Sequence, residues 1–327
     1  MALASCISSI SGAAIASRDD ADIDIDTLLA QAQEATKQTL QSNEAKRTTG
    51  SGCTLQNISI RREWYVVLLN GMKVVLTHIY FRGALSTTQR KAYTDAVVCL
   101  QNKAAHATAD FAPGARSRFD DWVATHISQS LTIHYTGTFL AWHRWFTWLY
   151  EQALKEECGY TGTQPYWDWA QTARTGLESS PIFDGSDYSM GGNGAKIQQT
   201  GDIVLGGGGL PYLSLPTGSG GGCVTSGPFK NMSVNLGPAD LSVPGNITLV
   251  QANPLAYNPR CLKRDLTDAI NQRFANSTSI LNTIKQKAIY DFEMIMQGVP
   301  GSGDLGVHGG GHYSFGKQLV IHARARG

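Results

Sequence analysis

The chain has 327 residues, 42% of them hydrophobic and 16% charged, with a formal net charge of +1. That is enough apolar material for a large core, while a balanced charge without a basic stripe excludes an electrostatic footprint for nucleic acid. The longest candidate for a membrane span, Trp64 to Phe81, is broken by Asn70, Lys73 and His78, so no membrane-spanning helix is expected.

Met1 to Ala16 is apolar and small, ends in Ala14-Ile15-Ala16, and reads as a signal peptide lacking a basic start. Four glycosylation sequons, at Asn57, Asn231, Asn246 and Asn276, agree with secretion. Cys6 would leave with the signal, so Cys53, Cys99, Cys158, Cys223 and Cys261 remain. Disulfides suit a secreted chain, but an odd number cannot all pair internally and the spacing leaves the connectivity open. Asp19 to Thr49 is polar and rich in Gln and Ala, suited to a lone surface helix.

Ser86-Thr87-Thr88-Gln89 is a capping box that opens a helix with Tyr93, Val97 and Leu100 on one face. A second helical stripe contains Phe119, Trp122, Val123, His126 and Ile127. A third runs through Phe139, Trp142, His143, Phe146, Leu149, Tyr150 and Ala153. Residues 191–227 hold thirteen glycines and read as irregular loop. Helical spacing returns with Leu266, Ile270 and Phe274, then Ile280, Ile284, Ala288, Phe292 and Ile295. Two helical pairs across a long glycine-rich connection predict one mainly α domain over residues 17–327, with a central four-helix bundle.

Five of the eight histidines fall in two groups. His126, His134 and His143 are spaced by eight and nine residues, and His308 and His312 stand four apart, on one face of a helical turn. A single histidine in an apolar stripe is most often a satisfied core residue. Two in facing stripes, a third between them and an i,i+4 pair downstream point to metal instead. An all-imidazole set without carboxylate or thiolate favours copper or zinc over magnesium or calcium. Gly309, Gly310 and Gly311 would each cost a helix about 1 kcal/mol against alanine. Something must therefore approach that backbone closely, and a metal centre or substrate is the expectation.

The stretch Asp120 to Glu151, with His126, His134 and Phe139-Leu140-Ala141-Trp142-His143-Arg144, resembles the first copper site of tyrosinases and catechol oxidases. Pro165-Tyr166-Trp167-Asp168-Trp169 is similar to that family's P-Y-W-x-W segment, and Val307-His308-Gly309-Gly310-Gly311-His312 to the start of the second copper site in its short fungal members. The resemblance covers roughly Cys53 to Phe315. It implies a bundle around two copper ions, one held by His126, His134 and His143 and the other by His308, His312 and a third ligand. It also implies a small phenolic substrate and O2, with o-diphenols oxidised to o-quinones. Gln297 is similar in position to a family Glu or Gln that orients an active-site water. Asp168 could orient a ligand ring or simply make a surface salt bridge. Phe139, Trp142, Trp145 and Phe146 are read as core. Gly309 offers no side chain to deprotonate a phenol, which favours diphenol oxidation over monophenol hydroxylation.

Thr132 stands where some members carry a cysteine cross-linked to a ligand, so no thioether is expected. The family's third ligand for the second copper comes from a P-G-D-P-x-F-x-x-H-H-type segment, which this sequence lacks. Lys317 to Gly327, with His322, does not resemble the family, and the chain reads as C-terminally truncated. The alternatives to an oxidase are a non-catalytic or mononuclear copper protein, an oxygen carrier and a zinc hydrolase. Finally, Tyr65 to Arg82 interrupts a reading that runs smoothly from Trp64 into Gly83. Its eighteen residues correspond to a short intron, and the codons for Trp64-Tyr65-Val66, Leu76-Thr77 and Phe81-Arg82 can carry the donor, branch-point and acceptor signals. The segment is therefore expected to be a translated intron, and Gly316-Lys317 permits another donor.

Overall fold

A computed structural model of the chain describes residues 38, 61–64, 85–199, 201–207, 210–238, 253–299 and 302–316. The signal segment, the sequons at Asn57 and Asn246, residues 65–82, His78 and everything from Lys317 onward lie outside the described residues. The chain divides into two compact units, residues 1–60 and 61–327. In the first, Gln38 alone is described, as helical.

The second unit is mainly helical. Helix α1 (Thr87–Asn102) starts at the predicted capping box. Gln89 N–H donates to Ser86 Oγ, and the Gln89 side chain accepts from Ser86 N–H. These two bonds satisfy amides that would otherwise be orphaned at the first turn. Helix α2 (Arg118–Ile133) has a second box at Ser117 and Asp120. The buried Asp120 carboxylate also accepts from Arg116 N–H and from the Asn235 side chain. Helix α3 (Phe139–Cys158) stops at Gly159, whose left-handed φ of 68° lets its N–H reach back to the Lys155 carbonyl. The faces of α1 and α3 meet in the main core, where Leu100 and Leu154 are fully buried beside Tyr93, Val97 and Trp64. Each such leucine contributes about 2 kcal/mol of transfer free energy. A disulfide between Cys99 and Cys158 ties the ends of α1 and α3 together.

After the short helix α4 (Trp169–Thr175) the glycine-rich stretch is not irregular throughout. Strands β1 (Gly194–Lys196) and β4 (Gly221–Val224) pair antiparallel around a hairpin of β2 (Ile203–Gly207) and β3 (Leu210–Leu215), in which Gly207 faces Leu210 across a two-residue connection. Glycine hid β1, β2 and β4, where five of twelve positions carry no side chain to show a period of two, and Pro211 interrupts the strand pattern of β3. A third ladder joins β5 (Ser233–Val234) to β6 (Arg260–Cys261), and the Cys223–Cys261 disulfide links β4 to β6. The cysteine pairing left open by the sequence is thus Cys99–Cys158 and Cys223–Cys261, with Cys6 and Cys53 outside the described residues.

The C-terminal half adds α5 (Asp268–Phe274), α6 (Ser277–Ile284), α7 (Ile289–Gln297) and α8 (Gly306–Tyr313). The periodic run from Ile280 to Ile295 is therefore two helices. Its apolar spacing carries on across the break at Lys285 to Ala288, which is why the sequence reads as one. Helices α5 and α7 pack against α8.

Glu63 and Leu85 flank the segment read as an insertion, and Leu85 N–H donates to Glu63 C=O at 3.2 Å. Their neighbours are anchored too. Trp64 N–H donates to Tyr166 C=O at 3.1 Å, and Trp64 and Leu85 are both buried in the main core. If residues 65–82 were removed, Glu63 and Leu85 would stand four apart, the spacing of a single α-turn hydrogen bond. A chain lacking 65–82 is therefore expected to fold with a melting temperature no lower than that of the full chain, and to aggregate less. Loss of the folded state in the shortened chain would show that these residues belong to the fold.

Candidate metal centre

His126 sits on α2, one turn before Ser130, and His134 is the extended residue that ends the helix. His143 sits one turn into α3. The stripes that carry His126 and His143 face each other, so the three imidazoles converge. His126 Nε2 lies 3.3 Å from His143 Nε2, and one ring nitrogen from each of the three lies within 4.8 Å of the others. Two of the rings are oriented by their own helices. His134 Nδ1 lies 2.9 Å from the Ser130 carbonyl and His143 Nδ1 lies 2.8 Å from that of Phe139, each four residues back. A carbonyl can only accept, so both rings carry the proton on Nδ1 and present Nε2 as a lone pair.

The second pair, His308 and His312, lies on one face of α8, with Nε2 atoms 3.1 Å apart and rings nearly perpendicular. It sits against the first group, with the His308 ring centroid 5.7 Å from that of His134 and 6.4 Å from that of His143. Phe139 is wedged among them. It is buried, and its ring centroid lies 4.6 Å from His143, 5.1 Å from His308 and 5.8 Å from His134. The sequence reading put Phe139 in the core; the structure puts it in the core and against both histidine groups. Trp142 stacks on Phe146 and donates from Nε1 to Gln129, with an edge against His126. Trp145 is half exposed and stacks on Trp148, so it is surface rather than core.

The close approach at the glycine run has a different cause from the one expected. A methyl group at Gly310 would lie 2.5 Å from Phe274 Cβ on α5, and one at Gly311 would lie 2.7 Å from the Trp169 ring on α4. At Gly309 it would lie 2.9 Å from Leu305 Cβ, four residues earlier in the chain. The glycines let α4 and α5 press onto the back of α8, leaving its histidine face to the site. Among the described residues the Asp168 carboxylate touches neither a histidine ring nor a basic side chain; it caps α4 by accepting from Gln171 N–H. Gln297 closes α7 and is buried, and its side-chain carbonyl accepts from Tyr135 N–H at 2.7 Å. That leaves Nε2 as the side-chain group able to hold a water. Thr132 is exposed and bonds to Gln129 C=O.

Burial dominates the titration of these rings. It pushes His126 down to about 3, with the imidazoles of His134, His143 and His312 adding to the effect. Burial lowers His143 to about 4, against the opposing bond to Phe139 C=O, and lowers His312 to about 4. His134 is lowered by burial, partly offset by Ser130 C=O. All are neutral near pH 7, so a metal would displace no proton from them. The donor set, with neutral lone pairs converging and no carboxylate in the cluster among the described residues, fits a copper ion. The same shifts set the acid response of the metal-free protein. Folded-state values lie below the unfolded value near 6.5, so between pH 6.5 and 4 the unfolded chain binds more protons and stability falls as pH falls. The melting temperature of metal-free protein is expected to decline steadily from pH 7 to 5. A flat profile over that range would contradict buried, neutral rings.

Residues 116–326 match the family model described as the common central domain of tyrosinase. The match runs past Phe315, so the stretch from Lys317, which the motif reading set apart, falls inside it. Tyrosinase P of Aspergillus terreus is 39% identical over 239 residues, 73% of this chain and 66% of that protein. The N-acetyl-6-hydroxytryptophan oxidase ivoB of Emericella nidulans is 35% identical over 276 residues, 82% of this chain and 69% of that one. Among solved structures, that of a point mutant of a polyphenol oxidase from Thermothelomyces thermophila superposes with a TM-score of 0.75 at 43% identity. That likeness covers 88% of this chain and 70% of the other. The chain thus spans about two-thirds of the length of these two curated relatives. With well over half its length inside the family model, and a fold and histidine arrangement to match, this chain belongs to the tyrosinase family.

Proposed function

We propose that this chain is a copper-dependent oxidase that converts o-diphenols to o-quinones with O2, at a centre of two copper ions. His126, His134 and His143 would hold one ion, and His308 and His312 would help to hold the other. The observation that carries the reading is the convergence of three imidazole nitrogens within 4.8 Å, directly against the His308–His312 pair. Copper, when bound, supplies a one-electron couple at each ion, so that two electrons can pass from a diphenol to O2. The protein's own part is positional. Ser130 and Phe139 carbonyls fix two ring orientations, burial keeps the imidazoles unprotonated, and the Phe139 ring fills the space between the two groups. The names of the relatives, a tyrosinase, a polyphenol oxidase and an oxidase of N-acetyl-6-hydroxytryptophan, support a hydroxylated aromatic substrate. Secretion is part of the proposal, supported by the two disulfides, which persist in oxidising compartments.

One observation favours a second reading, a mononuclear copper-binding protein: among the described residues the second group has two histidines, against three in the first. Copper per chain after dialysis, with o-diphenol turnover, separates the two. Residues 1–327 are expected to retain one copper firmly and a second weakly, and to oxidise catechol slowly. Adding a segment with the P-G-D-P-x-F-x-x-H-H pattern should raise both copper content and rate. Two firmly held coppers with fast turnover in the unextended chain would contradict this and turn attention to His322. A copper-loaded protein idle toward o-diphenols in both forms would sink the oxidase reading.

A further inference from the structure

The backbone that delivers His134 is held in an unusual state. Tyr135, the next residue, has φ of 53° and is the sole non-glycine residue with positive φ among those described. A side chain in this left-handed region is disfavoured for any residue with a Cβ, and it persists where surrounding contacts over-determine it. Here both contacts come from Gln297. Its side-chain carbonyl accepts from Tyr135 N–H at 2.7 Å, and its backbone carbonyl accepts from Tyr135 Oη–H at 3.2 Å. The side-chain assignment is forced, since a backbone N–H can only donate and must face the amide oxygen. Gln297 is 2% exposed, so water cannot readily replace that oxygen.

The other side of Gln297 leads to the second histidine group. Gly298 follows with φ of 80°, packed so closely that a side chain would lie 2.5 Å from Asp304 C=O and 2.8 Å from Gly306 N. Gly306 is the first residue of α8, two before His308. One residue therefore joins the turn after His134 to the corner that starts the helix carrying His308 and His312.

We infer that Gln297 is a positioning residue: it clamps Tyr135 in its left-handed conformation and so fixes His134 relative to His126, His143 and α8. The inference rests on reading the three-histidine cluster as a metal site. Its role is mechanical, through Tyr135 N–H, and calls for an acceptor at position 297 rather than an amide. Glutamate should therefore serve where leucine, of similar size, should not.

The test uses the full chain and two readouts. Without metal, hydrogen exchange at the Tyr135 amide reports the clamp itself, and Gln297→Leu is expected to exchange at least tenfold faster than wild type or Gln297→Glu. With copper(I), competition against a chromophoric chelator reports the first equivalent bound. Gln297→Leu is expected to lose roughly ten- to a hundredfold in affinity, in line with removal of an outer support of a ligand. Gln297→Glu and Tyr135→Phe, which keep the N–H bond, should stay within about threefold. Ile270→Val, a buried change on α5, controls for general destabilisation and should leave affinity unchanged. If Gln297→Leu left Tyr135 exchange unaltered, the clamp would be refuted whatever the metal does. Faster exchange with unchanged affinity would refute its bearing on His134. If wild type bound no copper, and His126→Ala made no difference, the metal reading would fall while the exchange result still judged the clamp. Should Gln297→Leu fail to fold, Gln297→Ser, too short to reach Tyr135, takes its place with the same expectations.

Discussion

Replacing His143 with alanine is expected to strip the first copper from the protein, while replacing His106 leaves copper content unchanged. His143 contributes one of three converging nitrogens, and its Nδ1 bond to Phe139 C=O aims Nε2 at His126 Nε2, 3.3 Å away. Two remaining imidazoles cannot close a shell that the third completes, and even the loss of an outer support typically costs ten- to a hundredfold in affinity. Loss of the ligand itself should exceed that, leaving less than roughly a tenth of the copper after dialysis. His126→Ala should behave the same way. His106 makes the informative comparison because it is exposed, and its backbone N–H donates to the Asp121 carboxylate. Metal analysis per folded chain is the measurement. If His106→Ala lost as much copper as His143→Ala, the assignment of the site would be wrong.

Arg264→Ala is expected to be the most damaging single change away from the histidines. Arg264 is 8% exposed and, among the described residues, pairs with no carboxylate. Its Nη1 donates to Gly191 C=O and Gly192 C=O at 2.6 and 2.8 Å, and Nη2 donates to Met190 C=O at 2.8 Å. The Phe183 ring lies 5.1 Å from its central carbon. Burial lowers its pKa to about 10, so it stays charged at neutral pH. Removing it orphans three carbonyls and opens a cavity, which together cost on the order of 3 kcal/mol or more. At the usual slope for a domain of this size that is roughly a 6–12 °C fall in melting temperature. Lysine should recover little, because a point charge on a flexible stem cannot fork to three carbonyls. The effect should extend toward the site. The residues after Arg264 hold the end of α8, with Asp265 N–H donating to Phe315 C=O and Thr267 N–H to Ser314 C=O. A variant within 1 °C of wild type would show that the carbonyls find other donors.

Helix starts were legible where a local signal exists. The Ser86–Gln89 box needs four consecutive residues, and the structure makes both of its bonds. The α2 and α3 stripes were legible because three turns of one amphipathic face repeat the signal. Strands β1, β2 and β4 were not, because glycine carries no hydrophobic phase, nor was β3, whose pattern Pro211 interrupts. The break between α6 and α7 escaped because apolar residues keep their spacing across it. The glycines of α8 were correctly read as marking a close approach but assigned to the wrong neighbour. A sequence shows that room is needed and not which ring, here Trp169 or Phe274, occupies it.

By itself the sequence determined which residue types could hold a metal and that they recur in two clusters, since histidine spacing and apolar period are properties of the linear chain. It also determined the family, through motifs long enough to be specific. The tertiary structure alone decided how the clusters face each other, that Phe139 lies between them, and that Gln297 reaches across 162 residues to the turn beside His134. It likewise decided that Asp168 spends a carboxylate oxygen on a helix cap and that three backbone carbonyls hold Arg264. The division has a physical reason. Periodicity and capping are contacts within a few residues, whereas the partner of a buried polar group is set by whichever donor or acceptor packing brings within about 3 Å, and that choice is made only when the chain closes on itself.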